Sequence, residues 1–589
     1  MHTLAVSMII DARLNFPAIR DSRFQACQGG AATLGVLPRN PFRELRELFR
    51  EQEWEYAPSQ RSPVPGSPGY PEHPLWRKIA YVAISLLVGL TGGFGNALIS
   101  VNLPYLEGAL GLDTYEIVWL PTVYAIMNCL GGGLLFKYRQ EFGARSFAVT
   151  FLTLQLAIIV AHLFVQDLGS AILVRAVSGL SATAMTTLCI YYMTQAFPPS
   201  HRPSGIVLGI SIPQLAIPLA RVIPLDTITL DKWQGLYLIE LGLSAVSLAC
   251  VLAFRLPPSV KQKAFEKRDF LTMAFYGAAV ACFGSAVGLG PYLWWWDQAW
   301  IGWCLAASLP LFVIAFIIES GRKAPLIDLK WLSGFDLVRF AIVAILIRIV
   351  LAEQPSGAVG LLRLFGLVND DFRDLSIIIL ASSVAGPIVA AILITADRIP
   401  AMIITALLLV MVGSYLDSYS SDLTRAPQFY FTQALIAFAT TFFIGPALLF
   451  GLTRVLAKGG QILSSFVILF SITQSVGSLV GSALIQSAQF VSERYHSTRL
   501  VSYVTGMNPA VDSYIAKLSA VYSSVLTDPA ELTAVSIQTL GQQTTLQANI
   551  LAYNDTFRLV SAIAMLTACF LGCVFIIKII KSRDGVKPT

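Results

Sequence analysis

Five ionisable residues interrupt long apolar stretches of this sequence, where a charged side chain is unusual. They are Arg175, Arg221, Glu240, Arg348 and Glu353. If these stretches cross a membrane, a charge at mid-depth costs about 2.5–3.5 kcal/mol on insertion scales. Such a side chain therefore faces a polar interior, or it extends along its helix to the membrane surface. In an interior, arginines bind anions, and carboxyl groups can take up and release protons.

Uncharged polar residues occur in the same stretches and could line the same interior. They are Asn96, Asn102, Asn128, Gln214, Gln433 and Gln474. Each is equally consistent with a hydrogen bond between two neighbouring helices. We group Gln214 with the five ionisable residues as a candidate for a substrate or proton pathway.

The composition shows which kind of chain must position these residues. Of the 589 residues, 55% are hydrophobic and 13% are charged, and the mean hydropathy is +0.67. A soluble chain carries about 25% charged residues. The excess apolar surface must face lipid, so we predict an all-α membrane protein. The net charge of +6 does not indicate nucleic-acid binding, because the basic residues are spread over short loops.

A helix needs about 20 apolar residues to cross a bilayer, and the sequence contains fourteen such runs. Their predicted limits are 79–104, 117–136, 146–165, 170–196, 204–224, 234–254, 270–289, 299–318, 337–353, 375–396, 399–417, 429–450, 462–488 and 557–580. The ninth run is the weakest, because it is short and carries Arg348.

The loops between the runs indicate the orientation. If the N-terminus is cytoplasmic, the cytoplasmic loops hold sixteen Lys and Arg residues and the short outer loops hold four. Cytoplasmic loops are expected to be richer in these residues. We therefore predict that both termini are cytoplasmic. One long outer loop, 489–556, has a helix-forming sequence.

This topology places Arg175, Arg221, Glu240 and Arg348 in the outer half of the membrane, within roughly 10 Å of its boundary at 1.5 Å per residue. Glu353 is expected to close the ninth run at the outer mouth. The functional interpretation is a mainly cationic vestibule with one buried carboxylate. The alternative is that Arg221 and Arg348 extend to the surface and that Glu240 forms a structural ion pair. Four further charged residues at predicted helix ends are expected to be loop or anchor residues: Asp397, Arg398, Asp417 and Arg454.

The chain divides into four predicted segments. Residues 1–75 form a disordered cytoplasmic tail, because their last part, 58–74, is rich in Pro, Ser and Gly. Residues 76–256 hold six membrane helices, 257–335 hold two linking helices, and 336–582 hold six more with the long outer loop.

Several chemistries are excluded by the motifs. The sequence has no GxxxxGK[ST] phosphate-binding loop. Its five histidines are scattered without metal-ligand spacing. Neither a Ser/His nor a His/Asp/Glu constellation occurs near one membrane face. We therefore expect no enzymatic activity, cofactor or metal, and we predict a transporter that is driven by an ion gradient.

Several motifs resemble one known family in order and spacing across residues 77–580. They are FGNALISVNLP (94–104), Trp119 with Tyr124, RAVSGL (175–180), QAFPPSHR (195–202) and ILAYNDTF (550–557) after the long loop. The sequence is similar to the EmrB/QacA drug:proton antiporters of the major facilitator superfamily. The resemblance implies two six-helix bundles with two extra central helices. It also implies a location in the bacterial inner membrane, efflux of lipophilic molecules, and partnership with a periplasmic membrane-fusion adaptor and an outer-membrane channel.

Three motifs depart from the family pattern. Gly95 stands where the family usually places an acidic residue in the first helix. The loop GGGLLFKYRQEFGAR (131–145) is longer than its family counterpart and lacks the Asp. The glycine motif of the fifth helix is largely replaced in GISIPQLAIPLARV (209–222). Since Gly95 cannot carry a proton, another carboxyl group must do so.

We hypothesise that Glu240 couples protons and that Arg175 and Arg221 attract an anionic substrate. The leading prediction is proton-coupled multidrug efflux of lipophilic small molecules. One alternative is an importer or organic-anion exchanger with the same fold. The other is a non-transporting polytopic membrane enzyme or sensor.

Overall fold

A computed structural model describes residues 60, 62, 64–223, 235–322, 325–457, 462–505 and 508–583. Within these ranges the backbone is helical apart from turns and one isolated bridge between Pro68 and Ser259. We number the helices that correspond to the predicted membrane runs as α1–α14 and give short helices by their residue ranges.

The long helices follow the predicted order. They are α1 Leu75–Val101, α2 Trp119–Phe142, α3 Ala144–His162, α4 Leu168–Ala196, α5 Arg202–Ser211, α6 Gly235–Ala253, α7 Lys267–Leu293, α8 Ala299–Glu319, α9 Phe335–Leu351, α10 Arg373–Leu393, α11 Ile399–Asp417, α12 Tyr430–Ala457, α13 Leu463–Val501 and α14 Pro529–Arg583.

Thirteen helical segments in the described part of the chain are long and apolar enough to cross a membrane. The predicted all-α membrane architecture is thereby confirmed, although the count of fourteen is not. The difference is α9, which has 17 residues. After Ala352 the chain stays helical, as a π-helical stretch Glu353–Ala358 followed by Val359–Leu364. The ninth run is therefore longer than its apolar sequence predicts.

Helix α5 is also irregular. It ends at Ser211, and a 3₁₀ turn Ile212–Leu215 connects it to a final helix Ala216–Val222. Pro213 lies in this turn. Because proline has no backbone N–H to donate, the regular α-helical ladder is interrupted there.

The helix contacts repeat with an offset of eight helices. In the first half α2 packs on α4, α3 on α6, and α1 on the end of α5; in the second half α10 packs on α12, α11 on α14, and α9 on α13. The two halves meet where α2 packs on α13 and where α5 packs on α10 and α12. This pattern is that of two six-helix bundles related by a pseudo-twofold axis.

A buried ionic cluster holds the linking helices α7 and α8 on the predicted cytoplasmic side. Lys137 at the end of α2 lies 2.6 Å from Asp269 in α7. Arg322 binds Asp269 at 2.8 Å and Glu319 at the end of α8 at 2.5 Å. Burial lowers the pKa of Arg322, but its hydrogen bonds to Glu266, Asp269 and Glu319 outweigh burial and raise it. The guanidinium is therefore permanently charged and clamps α7 to α8.

The predicted tail is packed from Val64 onward, so its predicted limit at residue 75 is too late. Gly66 and Gly69 donate backbone hydrogen bonds to Val260 and Pro258. Gln195 in α4 donates to the Gly69 carbonyl at 2.9 Å. The Pro and Gly content that indicated disorder instead permits a tight turn, because Gly66 has φ +77°. Residues 1–59 of the predicted tail lie outside the described residues.

The long predicted outer loop is helical where it is described. Helix α13 continues to Val501, a short helix spans Pro509–Tyr522, and α14 begins at Pro529. Ser519 and Ser536 are 3.0 Å apart and join the short helix to α14. The loop is therefore a helical layer continuous with the last two membrane helices.

Candidate functional site

Glu240 lies inside the first bundle. It is one turn into α6 and its side chain is only 2% exposed. Gln155 in α3 donates to its Oε1 at 2.9 Å. Ser181 in α4 donates in turn to the Gln155 carbonyl oxygen. Because each donor is neutral, no cation among the described residues is hydrogen-bonded to the carboxyl group.

Gly95 in α1 directly faces Glu240. A Cβ atom placed on Gly95 would lie 3.0 Å from Glu240 Oε1. The first helix thus leaves space where the resembled family has an acid, and α6 fills that space with its own carboxyl group. The predicted replacement of the missing acid by Glu240 is consistent with this arrangement.

Arg175 has a different environment from the one predicted. It is 1% exposed and donates to the backbone carbonyls of Leu120 and Gly95. It also donates to the Asn96 side chain at 2.8 Å, and its guanidinium lies 4.6 Å from the centre of the Tyr124 ring. All of these contacts join helices of the first bundle. They engage Nε and both Nη atoms of the guanidinium, so Arg175 is a structural residue in this conformation.

His162 and Tyr237 close the same region toward α3. Their rings stack at 4.6 Å, and both side chains are buried. The spacing of the histidines in the sequence, which bears only on metal binding, does not predict this contact. The ring of Tyr237 and the amide of Gln155 therefore border the Glu240 carboxyl, and the nearby charge of Arg175 acts on it without a direct hydrogen bond.

A second buried carboxyl site lies in the second bundle. Glu353 is 0% exposed and Asp417 is 4% exposed. The Gln433 amide nitrogen donates to Glu353 at 3.3 Å and to Asp417 at 2.9 Å. Because one nitrogen contacts both groups, the two carboxyls are at most about 6 Å apart. Two carboxyl groups this close favour a state in which they hold one proton between them.

Two predictions about these carboxyls were wrong. Glu353 does not close the ninth run at its outer mouth, because the chain continues as helix to Leu364. Asp417 is not an exposed anchor, although it ends α11. The π-helical stretch and the packing of α11 against α12 bring both residues inside, which no linear pattern around either residue indicates.

Arg348 in the last turn of α9 and Gln474 in α13 lie in a third polar region, where α9 packs against α13. The Arg348 Nε atom is buried and has no partner among the described residues. The same holds for both polar atoms of the Gln474 side chain. These residues lie in the second bundle, apart from Arg175 and Glu240.

Arg221 and Gln214 lie in the interrupted part of α5. Arg221 is 8% exposed, and its Nε has no partner within the described ranges. The charge of Arg363, which follows α9, repels it. Gln214 is half-buried in the 3₁₀ turn. The six predicted residues are therefore distributed over both bundles and do not form one cluster.

Metal chemistry has no support in the part of the chain that the structure describes. No group of three or more His, Cys, Asp or Glu side chains is positioned there to hold a metal ion. What the buried groups can do is bind protons and anions.

Comparison with known proteins identifies the fold. A family sequence model, that of the Major Facilitator Superfamily, matches residues 85–366. The solved structure of tetrameric PepTSo2 aligns with 85% of this chain and 99% of its own at a TM-score of 0.51 and 11% identity. The chain has the fold of the major facilitator superfamily. This fold accounts for the two bundles and the eight-helix offset, with α7 and α8 inserted between them.

Other solved structures with the superfamily fold are similar at comparable identity. The human organic anion transporter MFSD10 (TETRAN) is 14% identical over 84% of this chain and 100% of its own, with a TM-score of 0.46. The proton:xylose symporter XylE is 14% identical over 84% of this chain and 95% of its own, with a TM-score of 0.46. No curated protein matches the sequence.

Proposed function

We propose that the protein is a proton-coupled transporter of the EmrB/QacA type that exports lipophilic small molecules across the inner membrane. The observation that carries this proposal is the pairing of Gly95 with Glu240. A carboxyl group occupies the space beside α1 where the resembled antiporters carry their acid, but it comes from α6.

The surroundings of Glu240 suit proton uptake and release. A buried carboxyl with only neutral hydrogen-bond donors has no direct ion pair to break when it is protonated. Gln155 can donate to the ionised group through its amide nitrogen. Reorientation of the same amide offers an oxygen that accepts from the protonated group.

The pair Glu353 and Asp417 supports coupling through the second bundle as well. Uptake of one proton by this pair removes a charge from the membrane interior. Since Glu353 lies in the π-helical stretch beside α12 and α13, its charge can affect how these helices pack. A transporter that alternates between two conformations needs groups of this kind, whose charge differs between the states.

The test uses the purified protein in liposomes with an imposed pH gradient. Transport of a panel of lipophilic acids and cations is measured together with proton movement by a trapped pH dye. We expect Glu240→Gln to abolish gradient-driven transport, because the neutral amide cannot release a proton, and to retain substrate binding. Glu531→Gln, which neutralises an exposed carboxylate at the start of α14, is the matched control.

Full pH-dependent transport by Glu240→Gln would make Glu240 a structural residue. In that case Glu353→Gln and Asp417→Asn are the next variants to measure. If the wild-type protein shows no transport that responds to the pH gradient, proton coupling itself is excluded.

A proton-coupled importer or organic-anion exchanger is the second candidate. It is favoured by the fifth membrane run, which keeps prolines but has Ala220 and Arg221 at the end of the segment where the antiporters carry their glycine motif. The same liposomes distinguish the two candidates. An antiporter moves substrate against the direction of proton flow, whereas a symporter moves both in one direction and an exchanger needs a counter-substrate rather than a pH gradient.

A further inference from the structure

Arg348 lies at the middle of its membrane helix. The helix begins at Phe335 and its continuation ends at Leu364. At 1.5 Å per residue, Arg348 is about 20 Å from either end. This distance is too long for its side chain to bridge, so the predicted extension to the membrane surface is excluded.

Close packing of α13 holds Arg348 in place. A Cβ atom on Gly477 would lie 3.0 Å from the Arg348 Cβ, and one on Gly481 would lie 2.8 Å from the Ile349 Cα. Gly477 and Gly481 form a GxxxG sequence, whose small residues let the two backbones approach. The aliphatic stem of Arg348 is fixed against α13, and Gln474 lies one turn away on the same face of that helix.

The polar ends of these two residues have no protein partner where the structure is described. Arg348 Nε, Gln474 Nε2 and Gln474 Oε1 are all buried and unbonded. Arg175 provides the contrast, because hydrogen bonds engage each of its nitrogen atoms.

Unpaired groups of this kind are costly unless a ligand pairs with them. A buried polar atom without a partner costs about 1–3 kcal/mol, and a charged one costs more. The turn that carries Gln474 also borders the interface between the bundles, because Ser475 donates to Asn128 in α2 at 3.2 Å. Transporters of this architecture bind substrate near the membrane midplane at such an interface.

We propose that Arg348 and Gln474 bind the carboxylate of an amphiphilic organic anion. The inference rests on the proposed transport function and names its substrate class. The guanidinium presents parallel N–H groups that match the two oxygens of a carboxylate. The Gln474 amide supplies a further donor and one acceptor. A single cation beside a neutral amide balances a monoanion, whereas a phosphate dianion would leave a buried negative charge.

The test measures equilibrium binding to the purified full-length protein in detergent. The probes are a set of aromatic carboxylates that includes 2-naphthoate, with 2-naphthamide and a naphthylmethylammonium ion as neutral and cationic analogues. We expect the wild-type protein to bind carboxylates in preference to both analogues. Arg348→Gln should weaken carboxylate binding by about tenfold or more, the range for a charged hydrogen bond. Gln474→Leu should weaken it by less.

Arg339→Gln is the matched control, since it removes the same charge from the same helix. Arg339 lies near the start of α9 with its guanidinium over the Phe335 ring, and its replacement should leave binding unchanged. Arg348→Lys keeps the charge but loses the parallel donors, so an intermediate loss is expected. If Arg348→Gln and Arg339→Gln weaken carboxylate binding equally, the effect is one of general charge. That result would overturn the assignment of Arg348 as the carboxylate-binding residue.

Thermal unfolding of the ligand-free protein gives a second readout. Removal of an unpaired buried charge relieves its cost, so Arg348→Met should unfold at the same or a higher temperature while it loses carboxylate binding. A lower unfolding temperature together with unchanged binding would make Arg348 a structural residue. Wild-type protein that binds none of the carboxylates, or prefers the cation, also overturns the proposal.

The failure of this inference is distinguishable from failure of the proposed function. Arg348-dependent binding without transport in a pH gradient would refute proton coupling and leave the anion site standing. Gradient-driven transport that is equal in the wild type and Arg348→Gln would refute the anion site and leave proton coupling standing.

Discussion

At the scale of single residues, the position of a charge in the sequence does not reveal its role. Arg175 and Arg348 both interrupt apolar runs, and the sequence favoured Arg175 as the anion-binding residue. Arg175 donates to two backbone carbonyls and one amide, whereas the Nε of Arg348 has no partner among described residues. The first therefore stabilises the first bundle, and the second is available to a ligand.

The pairing of Gly95 and Glu240 leads to a prediction about where the proton carrier can be placed. Gly95→Asp alone puts two carboxyls in contact and should impair transport. In the Glu240→Gln background the same substitution moves the carboxyl from α6 to α1, within the same space. We expect it to restore part of the proton-driven transport that Glu240→Gln loses.

Transport by the double variant is compared with that of Glu240→Gln in the same liposomes. Gly92→Asp in the Glu240→Gln background is the control, because a side chain on Gly92 would meet Met185 instead. If both double variants fold but neither recovers transport, a carboxyl group on α1 cannot replace the one on α6.

At the scale of helices, glycine contacts decide which pairs approach closely. Gly481→Ala should destabilise the protein by about 1–3 kcal/mol, the usual cost of overpacking, because its Cβ would lie 2.8 Å from the Ile349 backbone. Gly541→Ala in α14 has no neighbour within 4 Å and should be neutral or slightly stabilising, since alanine favours helix.

The measurement is the unfolding temperature of each variant in one detergent, followed by binding of 2-naphthoate. Separation of α9 from α13 should also displace Arg348, so Gly481→Ala is expected to weaken carboxylate binding as well. Equal unfolding temperatures for the two alanine variants would contradict the close approach of these helices.

At the scale of the whole molecule, the two bundles are joined at the predicted outer end. Asn369 donates to the Asn102 side chain at 2.9 Å, and Arg363 donates to the Val101 carbonyl at 3.0 Å. These bonds connect the end of α1 to the region between α9 and α10. If the bundles rock during transport, these bonds must break in one of the two states.

This arrangement predicts that a covalent link between residues 102 and 369 stops transport. Cysteines are introduced at both positions in a background without native cysteines and are joined by a short bifunctional thiol reagent. The control pair is 519 and 536, whose serine hydroxyls are 3.0 Å apart within the loop layer, and its linkage should leave transport intact. Undiminished transport after complete linkage at 102 and 369 would exclude opening at this point.

Three statements remain predictions: that both termini are cytoplasmic, that the protein lies in the inner membrane, and that it binds an adaptor. They depend on the distribution of Lys and Arg and on the family resemblance. The packed segment from Val64 to His73 contacts α4 and the loop before α7, so a truncation that extends to residue 70 would remove ordered contacts.

Composition and apolar run length determined the fold class and the order of the helices. Side chains that face lipid must be apolar, and each helix forms the hydrogen bonds of its own backbone. Membrane helices can therefore be identified in the sequence one at a time. The family resemblance identified Gly95 as a departure, and the charges inside the apolar runs gave Glu240 as a candidate to replace the missing acid. Motif order was sufficient for the superfamily fold.

The tertiary structure alone decided which polar groups meet. Contact between Gly95 and Glu240 joins α1 to α6, and the Gln433 amide joins two carboxyls from different helices. The helical continuation beyond Leu351 moves Arg348 and Glu353 from a predicted helix end into the membrane interior. These outcomes depend on side chains far apart in the chain and on one π-helical stretch. A local sequence pattern shows how apolar a segment is, but it does not show which neighbouring residue forms hydrogen bonds with its polar atoms.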